Sequence, residues 1–437
     1  MVNEQVEAFC EASIRGDMRR AARLLDETPA ISDSFPAALL LGLAERVARE
    51  LQADPSLAVR PDPRSGWTPL HATCSSRWHQ VDPAREEGLG AVARLLLDAG
   101  ADPTGRGAGR RMDWTPLRCA IAVSNSGPSN RGIVELLLAR GAVPGDHDLY
   151  LAGFAYDRHQ LLPLLLAHVP NPGEIAERAL AAPIGNLDAE SARLLLDAGA
   201  DPRRYRDDDG HTASVAWAAV EAGCGSDLLE LLLSHGADPD AIGADGRTPY
   251  RLATANGRTD LAGILRRYGA GDTTTGIDRF LSACRRADRA RAEDELAADP
   301  GLLDRMTDGD RKTIARAAAA GDTAAVSLML DLGFSLDTSG EHGGTLLHEA
   351  AFSGSADVVR LLLDRGAVLE ARDSGWNDTA LGWAAVGSGE KPQTNVAADW
   401  LETVRILLER GASTAGITLA PDDPKPPSPE VAELLRA

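Results

Sequence analysis

The apolar positions of this chain fall into a recurring phrase: a run of leucines that breaks at Gly-Ala and then at an acidic residue or Pro. It reads RLLLDAGADP at 94–103, ELLLARGAVP at 135–144, RLLLDAGADP at 193–202, ELLLSHGADP at 230–239, RLLLDRGAVL at 360–369 and RILLERGAST at 405–414. Weaker copies stand between these, as LLPLLLAHVPN at 161–171, GILRRYGAGD at 263–272 and SLMLDLGFSL at 327–336. Recurrence at a period of a few tens of residues marks stacked units, each too small to bury its own apolar face and therefore dependent on its neighbours. The pattern predicts an all-α solenoid whose core grows by addition of units.

Residues 240–271 show how one unit is built. Asp245-Gly246 supplies the positive-φ turn of a tight loop, Thr248 caps a helix, and Pro249 occupies its first turn, where no backbone donor is lost. Gly257 ends that helix. Thr259-Asp260 begin a second one with Leu261, Ile264 and Leu265 on one face, and Gly269 closes it. The unit is turn, helix, turn, helix, and the next turn leads into another copy.

This arrangement resembles the ankyrin repeat. The matching phrases are GWTPLH at 66–71, DWTPLR at 113–118, DGRTPY at 245–250 and GGTLLHEAAFSGSADVVRLLLDRGA at 343–367. The resemblance covers nearly the whole chain as about a dozen units, at the roughly 33-residue spacing of the family. Copies near 3–31, 35–60, 146–202 and 276–337 have lost the TPLH phrase and read as degenerate. The resemblance implies stacked helix-turn-helix units joined by hairpin-like turns. It also implies a concave groove, lined by turn tips and first helices, where a partner protein docks. His71 and His348, at the TPLH or TLLH position, are then expected to hydrogen-bond between adjacent turns.

A cap-like stretch, GIDRFLSACRRADRARAEDELAADPGLLD, has the form of the N-terminal QVEAFCEASIRGDMRRAARLLDETPAI. Two sub-arrays are therefore expected. One spans 1–272 and includes degenerate capping repeats over 1–60; the other spans 273–437, with GDTTTG at 271–276 as the junction. Residues 415–437 read as a proline-rich connector and a capping helix that begins at Ser428-Pro429.

Composition narrows the function. The 437 residues are 44% apolar but only 4% aromatic, so clustered tryptophans stand out. A formal charge of -20 disfavours nucleic acid as a partner. Cys10, Cys74, Cys119, Cys224 and Cys284 are odd in number and widely spread, which fits a reducing compartment. No basic start followed by an apolar run appears, and no window approaches 18 uninterrupted apolar residues, so a cytoplasmic chain without membrane association is expected. Scarce lysine beside abundant arginine points to a bacterial source. A monomer with no cofactor and no bound metal completes the expectation.

Departures from the repeat are the functional clues. About ten extra residues separate the helices of the unit at 66–97, GSGEKPQTNVAADW at 387–400 does the same in a later unit, and the turn in RRYRDDDGHTASVAW at 203–217 is lengthened. Insertions between helices are expected to extend the rim of the array. Trp67, Trp114 and Trp376 stand at turn tips; with Trp78, His79, Arg118, Arg206 and Asp208 they form the candidate partner-binding set, since Trp and Arg dominate binding hot spots. Trp217 and Trp383 fall inside first helices and are expected to pack. An alternative is an enzyme or small-molecule site near the 71–90 insertion, using Trp78, His79, Asp82, Trp114 and Arg118. No nucleophile, base and orienting group stand together in any usable motif, so no catalytic residue is assigned. The group His71, Cys74, His79 and Asp82 lacks the economy of a zinc motif.

Overall fold

The computed structural model describes residues 2–63, 65–107, 114–125, 127–175, 178–207, 213–340, 343–391, 395, 397–419 and 425–436. The regular elements among them are helices, and they come in antiparallel pairs. The chain divides into two compact units, 1–241 and 242–437. The 271–276 segment, expected as a junction, lies inside the second.

In the first unit the pairs are Val2–Arg15 with Met18–Glu27, Phe35–Leu41 with Ala44–Ala53, Pro69–Cys74 with Arg85–Asp98, and Pro116–Ala122 with Arg131–Ala139. Asp146–Gly153 with Arg158–Leu166, Ala181–Gly185 with Ala189–Asp197, and Val215–Glu221 with Ser226–Ser234 follow. In the second they are Pro249–Ala255 with Thr259–Arg267, Gly276–Arg285 with Arg289–Ala298, and Thr313–Ala319 with Thr323–Asp331. Leu346–Phe352 with Ala356–Asp364 and Ala380–Glu390 with Trp400–Glu409 complete it, and Pro429–Arg436 packs on the last pair.

The sequence dictates each pair locally. In the 346–364 copy, Leu346, Leu347, Ala350 and Ala351 recur at helical spacing on the buried side of the inner helix, and Val358, Val359 and Leu362 do so on the outer one. No pair closes its own core. In the second unit one apolar cluster runs unbroken from Ala255 through Phe280, Ile314, Met329, Leu347, Leu362 and Leu407 to Leu435. Each fully buried leucine in such a core contributes roughly 2 kcal/mol, so a unit is held mainly by its neighbours.

The turn between inner and outer helix is closed by a residue in the left-handed region. Gly257 (φ 70°), Gly321 (φ 73°) and Gly354 (φ 66°) fill it in the second unit. Degenerate copies use Leu187 (φ 56°) and Ala287 (φ 53°), where a Cβ is strained.

Along the outer row, an acid two places before the helix-ending glycine pairs with a base one place before the next glycine. The pairs are Asp98 with Arg140 (2.7 Å), Asp197 with His235 (3.5 Å), Asp331 with Arg365 (3.0 Å) and Asp364 with Arg410 (2.6 Å). Exposed pairs of this kind contribute little each, about 0–1 kcal/mol.

Described residues of both insertions are tied back onto neighbouring repeats. In the first, the Ser76 hydroxyl donates to Leu40 O (2.6 Å), the Trp78 indole N–H to Ser13 Oγ (3.2 Å), His79 Nε2 to Pro128 O (2.9 Å), and Gln80 to Val123 O (2.9 Å). The polar hooks of a short aromatic segment thus reach helix pairs before and after its own, and the segment folds back as a staple. In the second, Trp400 donates to Phe352 O (2.9 Å) and Asn395 to Ser355 Oγ (2.8 Å). A Cβ at Gly354 would stand 2.9 Å from the Trp400 ring, so the bare glycine also makes room for that ring.

Candidate functional site

In four repeats the third residue of the inner helix ties one unit to the next. His71 Nδ1 accepts from the Thr68 hydroxyl (2.8 Å), and its Nε2–H donates across to Trp114 O (3.0 Å). His348 repeats this with Thr345 (2.9 Å) and Asp378 O (3.1 Å). Burial lowers the pKa of both imidazoles, against the opposing pull of the carbonyl partners and nearby carboxylates. In two copies an Arg–Asp pair takes the place of the histidine. Arg118 Nε lies 2.9 Å from Asp148, and Arg251 Nε 2.8 Å from Asp278. Arg247 pairs with Asp310. The three aspartates also hold their own helix starts, through Gly145 N (2.8 Å), Thr275 N (2.8 Å) and Thr307 N (2.7 Å).

The hairpin at 368–379 is built differently. Asp373, 3% exposed, accepts from Gly375 N (2.7 Å) and Trp376 N (2.5 Å) on one oxygen, and from Asp378 N (2.8 Å) and the Trp383 indole (3.1 Å) on the other. Burial opposes its charge, but these donors more than offset that penalty, and its carboxyl lies below the usual carboxylate range. Asn377 takes the left-handed turn position (φ 57°), which asparagine tolerates. The outcome is a rigid tip that displays Trp376 at 65% exposure. Its ring rests edge-to-face on Trp383 (5.5 Å, 65°), which in turn meets His348 (5.3 Å) and Phe352 (5.9 Å). A Cβ at Gly344 would come within 2.8 Å of the Trp383 ring, so the preceding hairpin must leave that place bare.

A family model described as ankyrin repeats matches residues 282–373 and 314–416, a stretch that contains this hairpin. The chain carries ankyrin repeats. Among similar proteins, "Ankyrin repeat, SAM and basic leucine zipper domain-containing protein 1" of Equus caballus is 40% identical over 101 residues, 23% of this chain and 20% of the relative. "Ankyrin repeat and SOCS box protein 16" of Mus musculus is 40% identical over 104 residues, 24% and 20% of the two chains. The match thus spans about a fifth of each of these relatives. The crystal structure of the human ASB11 ankyrin repeat domain aligns at 20% identity over 54% of this chain and 98% of that one, with a TM-score of 0.25. No described helix is long and apolar enough to cross a membrane.

Within the ankyrin array, the expected contact residues separate by environment. Trp67 is buried against His71. Trp78 is buried in the N-terminal core, stacked on Phe9 (5.7 Å) beneath the Arg85 guanidinium (5.5 Å). His79 is buried, and desolvation lowers its pKa. These three have almost no surface to offer a partner, because their rings fill gaps between repeats. Arg118, drawn into its pair with Asp148, is an inter-repeat tie rather than an open groove contact. Trp114 is half-buried and Arg206 exposed; Asp208 lies outside the described residues. Asp82 accepts from Ala84 N (3.1 Å) and lies 3.4 Å from the Arg85 Nε at a turn. The His71, Cys74, His79 and Asp82 group likewise directs its imidazole Nε2–H groups at carbonyls, and no metal-competent cluster is found among the described residues. Trp217 and Trp383 pack, at 7% and 6% exposure. Sequence reasoning missed Asp373; the signal available was its place three residues before Trp376 in a turn rich in Asp, Ser, Gly and Asn.

Proposed function

We propose that this chain is a protein-binding scaffold that engages a partner through the hairpin tips and inner helices of its ankyrin array, with Trp376 as the principal anchor. The observation that carries the reading is the combination of 65% exposure with a backbone fixed by Asp373. A large ring held in place loses little freedom on binding, which is what hot-spot tryptophans exploit. Arg206 and Trp114 are the further candidates in the first unit. A reducing compartment such as the cytoplasm suits five cysteines that form no disulfide, all buried except the half-buried Cys10.

The test is quantitative affinity capture from the native cell with wild type and Trp376→Ala. Loss of a protein from the variant, with thermal unfolding unchanged, supports the anchor. An identical captured set from both proteins overturns it.

A further inference from the structure

We infer that the first unit carries a docking surface of its own along the turns that lead from inner to outer helices, and that its occupant is an amphipathic helix of a partner protein with basic flanks. The turns of four successive repeats are joined in a row. Gln80 Nε2 donates to Pro128 O (3.1 Å), the Ser129 hydroxyl to Asp157 (2.6 Å), Tyr156 N to Ser124 O (2.8 Å) and Asn186 Nδ2 to Gly153 O (3.1 Å). Each repeat in that row presents an apolar side chain to solvent: Val81 at 51% exposure, Pro128, Tyr156 at 73% and Leu187 at 41%.

Tyr156 and Leu187 hold one place in consecutive repeats, immediately before the N-cap residues Asp157 and Asp188. At that place, ahead of Asp17, Arg258, Asp322 and Ser355, the chain has Gly16, Gly257, Gly321 and Gly354. Leu187 keeps the left-handed conformation of those glycines (φ 56°), a cost in free energy that a side chain left in solvent does not recover within the fold. Contact with a partner would recover it, and the exposed tyrosine one repeat away extends the same contact.

Geometry and charge choose the occupant. Stacked helices lie about 8–10 Å apart and an α-helix advances about 10.5 Å in seven residues, so a helix laid along the row meets one apolar side chain per heptad. In the first turns of the outer helices bordering the row, Arg85 donates to Leu41 O (2.9 Å), Arg131 to Glu135 (2.7 Å) and Arg158 to Asp188 (2.5 Å). In the same first turns Glu86, Glu87 and Glu190 are exposed, Glu190 at 3.5 Å from His159. The bases are engaged while the acids face solvent, which complements lysine or arginine beside the partner's apolar stripe.

The test places the photo-crosslinker p-benzoylphenylalanine at position 156 of the full chain in its native cell, and sequences the peptide joined to it. The expected product is a segment with apolar residues recurring every seven positions and lysine or arginine around them. Its yield should fall at least about fivefold in Leu187→Asn, the loss that marks a binding anchor. Asparagine tolerates the left-handed turn, so the melting temperature of that variant should not fall. Val143→Asn, in the connection between Arg131–Ala139 and Asp146–Gly153, should leave the yield as it was. No product, a product with a second copy of this chain, with lipid or with a segment of another character, or a yield indifferent to Leu187→Asn overturns the inference. None of these residues belongs to the contact set centred on Trp376, so capture through Trp376 stands or falls separately.

Discussion

The segment around Trp78 and the hairpin around Trp376 use similar residues to opposite ends. Both set a tryptophan near a histidine and both depart from the plain repeat. Around Trp78 every polar hook reaches another helix pair, and the rings vanish into the core. Around Trp376 most hooks close on Asp373, Ser374 reaches only the adjacent Gly343 O, and the ring stays 65% exposed. What separates staple from display is where the hydrogen bonds of the neighbouring polar groups end, not the identity of the aromatic residue.

The sharpest way to break this comparison is to remove each ring. Trp78→Ala should destabilise the protein by ~3–5 kcal/mol, the range for deleting a large buried aromatic. Trp376→Ala should stay within about 0.5 kcal/mol, as exposed substitutions do. Urea unfolding of both variants decides it; equal costs would erase the distinction.

Acidification probes both regions with a smaller effect. His79 at the staple, His348 beneath the tip and His71 all have folded pKa values lowered from 6.5. The unfolded chain therefore takes up protons first. Stability is full above about pH 6.5 and drops as pH falls below it, whereas the lowered carboxylates act only below about 3.8. The melting temperature should fall between pH 7 and 5, and His79→Gln and His348→Gln should each flatten that slope. A pH-independent melt would remove the desolvated histidines from the account.

The smallest effect sharpens the point that departures from the repeat must be examined one by one. Leu187 departs as Trp78 does, yet it occupies a left-handed turn and is 41% exposed. Leu187→Gly should stabilise by roughly 0.5 kcal/mol, relief of the Cβ strain exceeding glycine's entropic cost. Calorimetry that shows a loss instead would mean that the leucine side chain is needed where it stands.

Much of the fold was legible because the repeat is written locally. The leucine runs, the Thr-Pro helix starts and the glycines at 257 and 269 each act within a few residues of themselves. His71 and His348 were readable for the same reason, since their partners lie one unit away at a fixed offset. The insertions were not. Trp78 reaches Ser13 and Phe9, and nothing in the spacing of residues 71–97 points to that distance. Arg118 looked like an open groove residue because its partner, Asp148, belongs to a copy that has lost TPLH; the exchange of histidine for an Arg–Asp pair shows only when both copies are superposed. Trp376 was visible at the turn tip, but its rigidity depends on Asp373, an ordinary turn aspartate by sequence.

The outer-row pairing has an evolutionary reading. The copy that ends at Asp364-Arg365-Gly366 offers an acid to the copy after it and a base to the copy before it, side by side at the same glycine. Splicing out one such copy, or duplicating it, leaves no orphaned charge at the seam, because any donor surface fits any acceptor surface. Recombination between copies is thereby made tolerable in this part of the gene, while a segment such as 76–80, whose contacts belong to particular distant neighbours, cannot be moved without losing its partners.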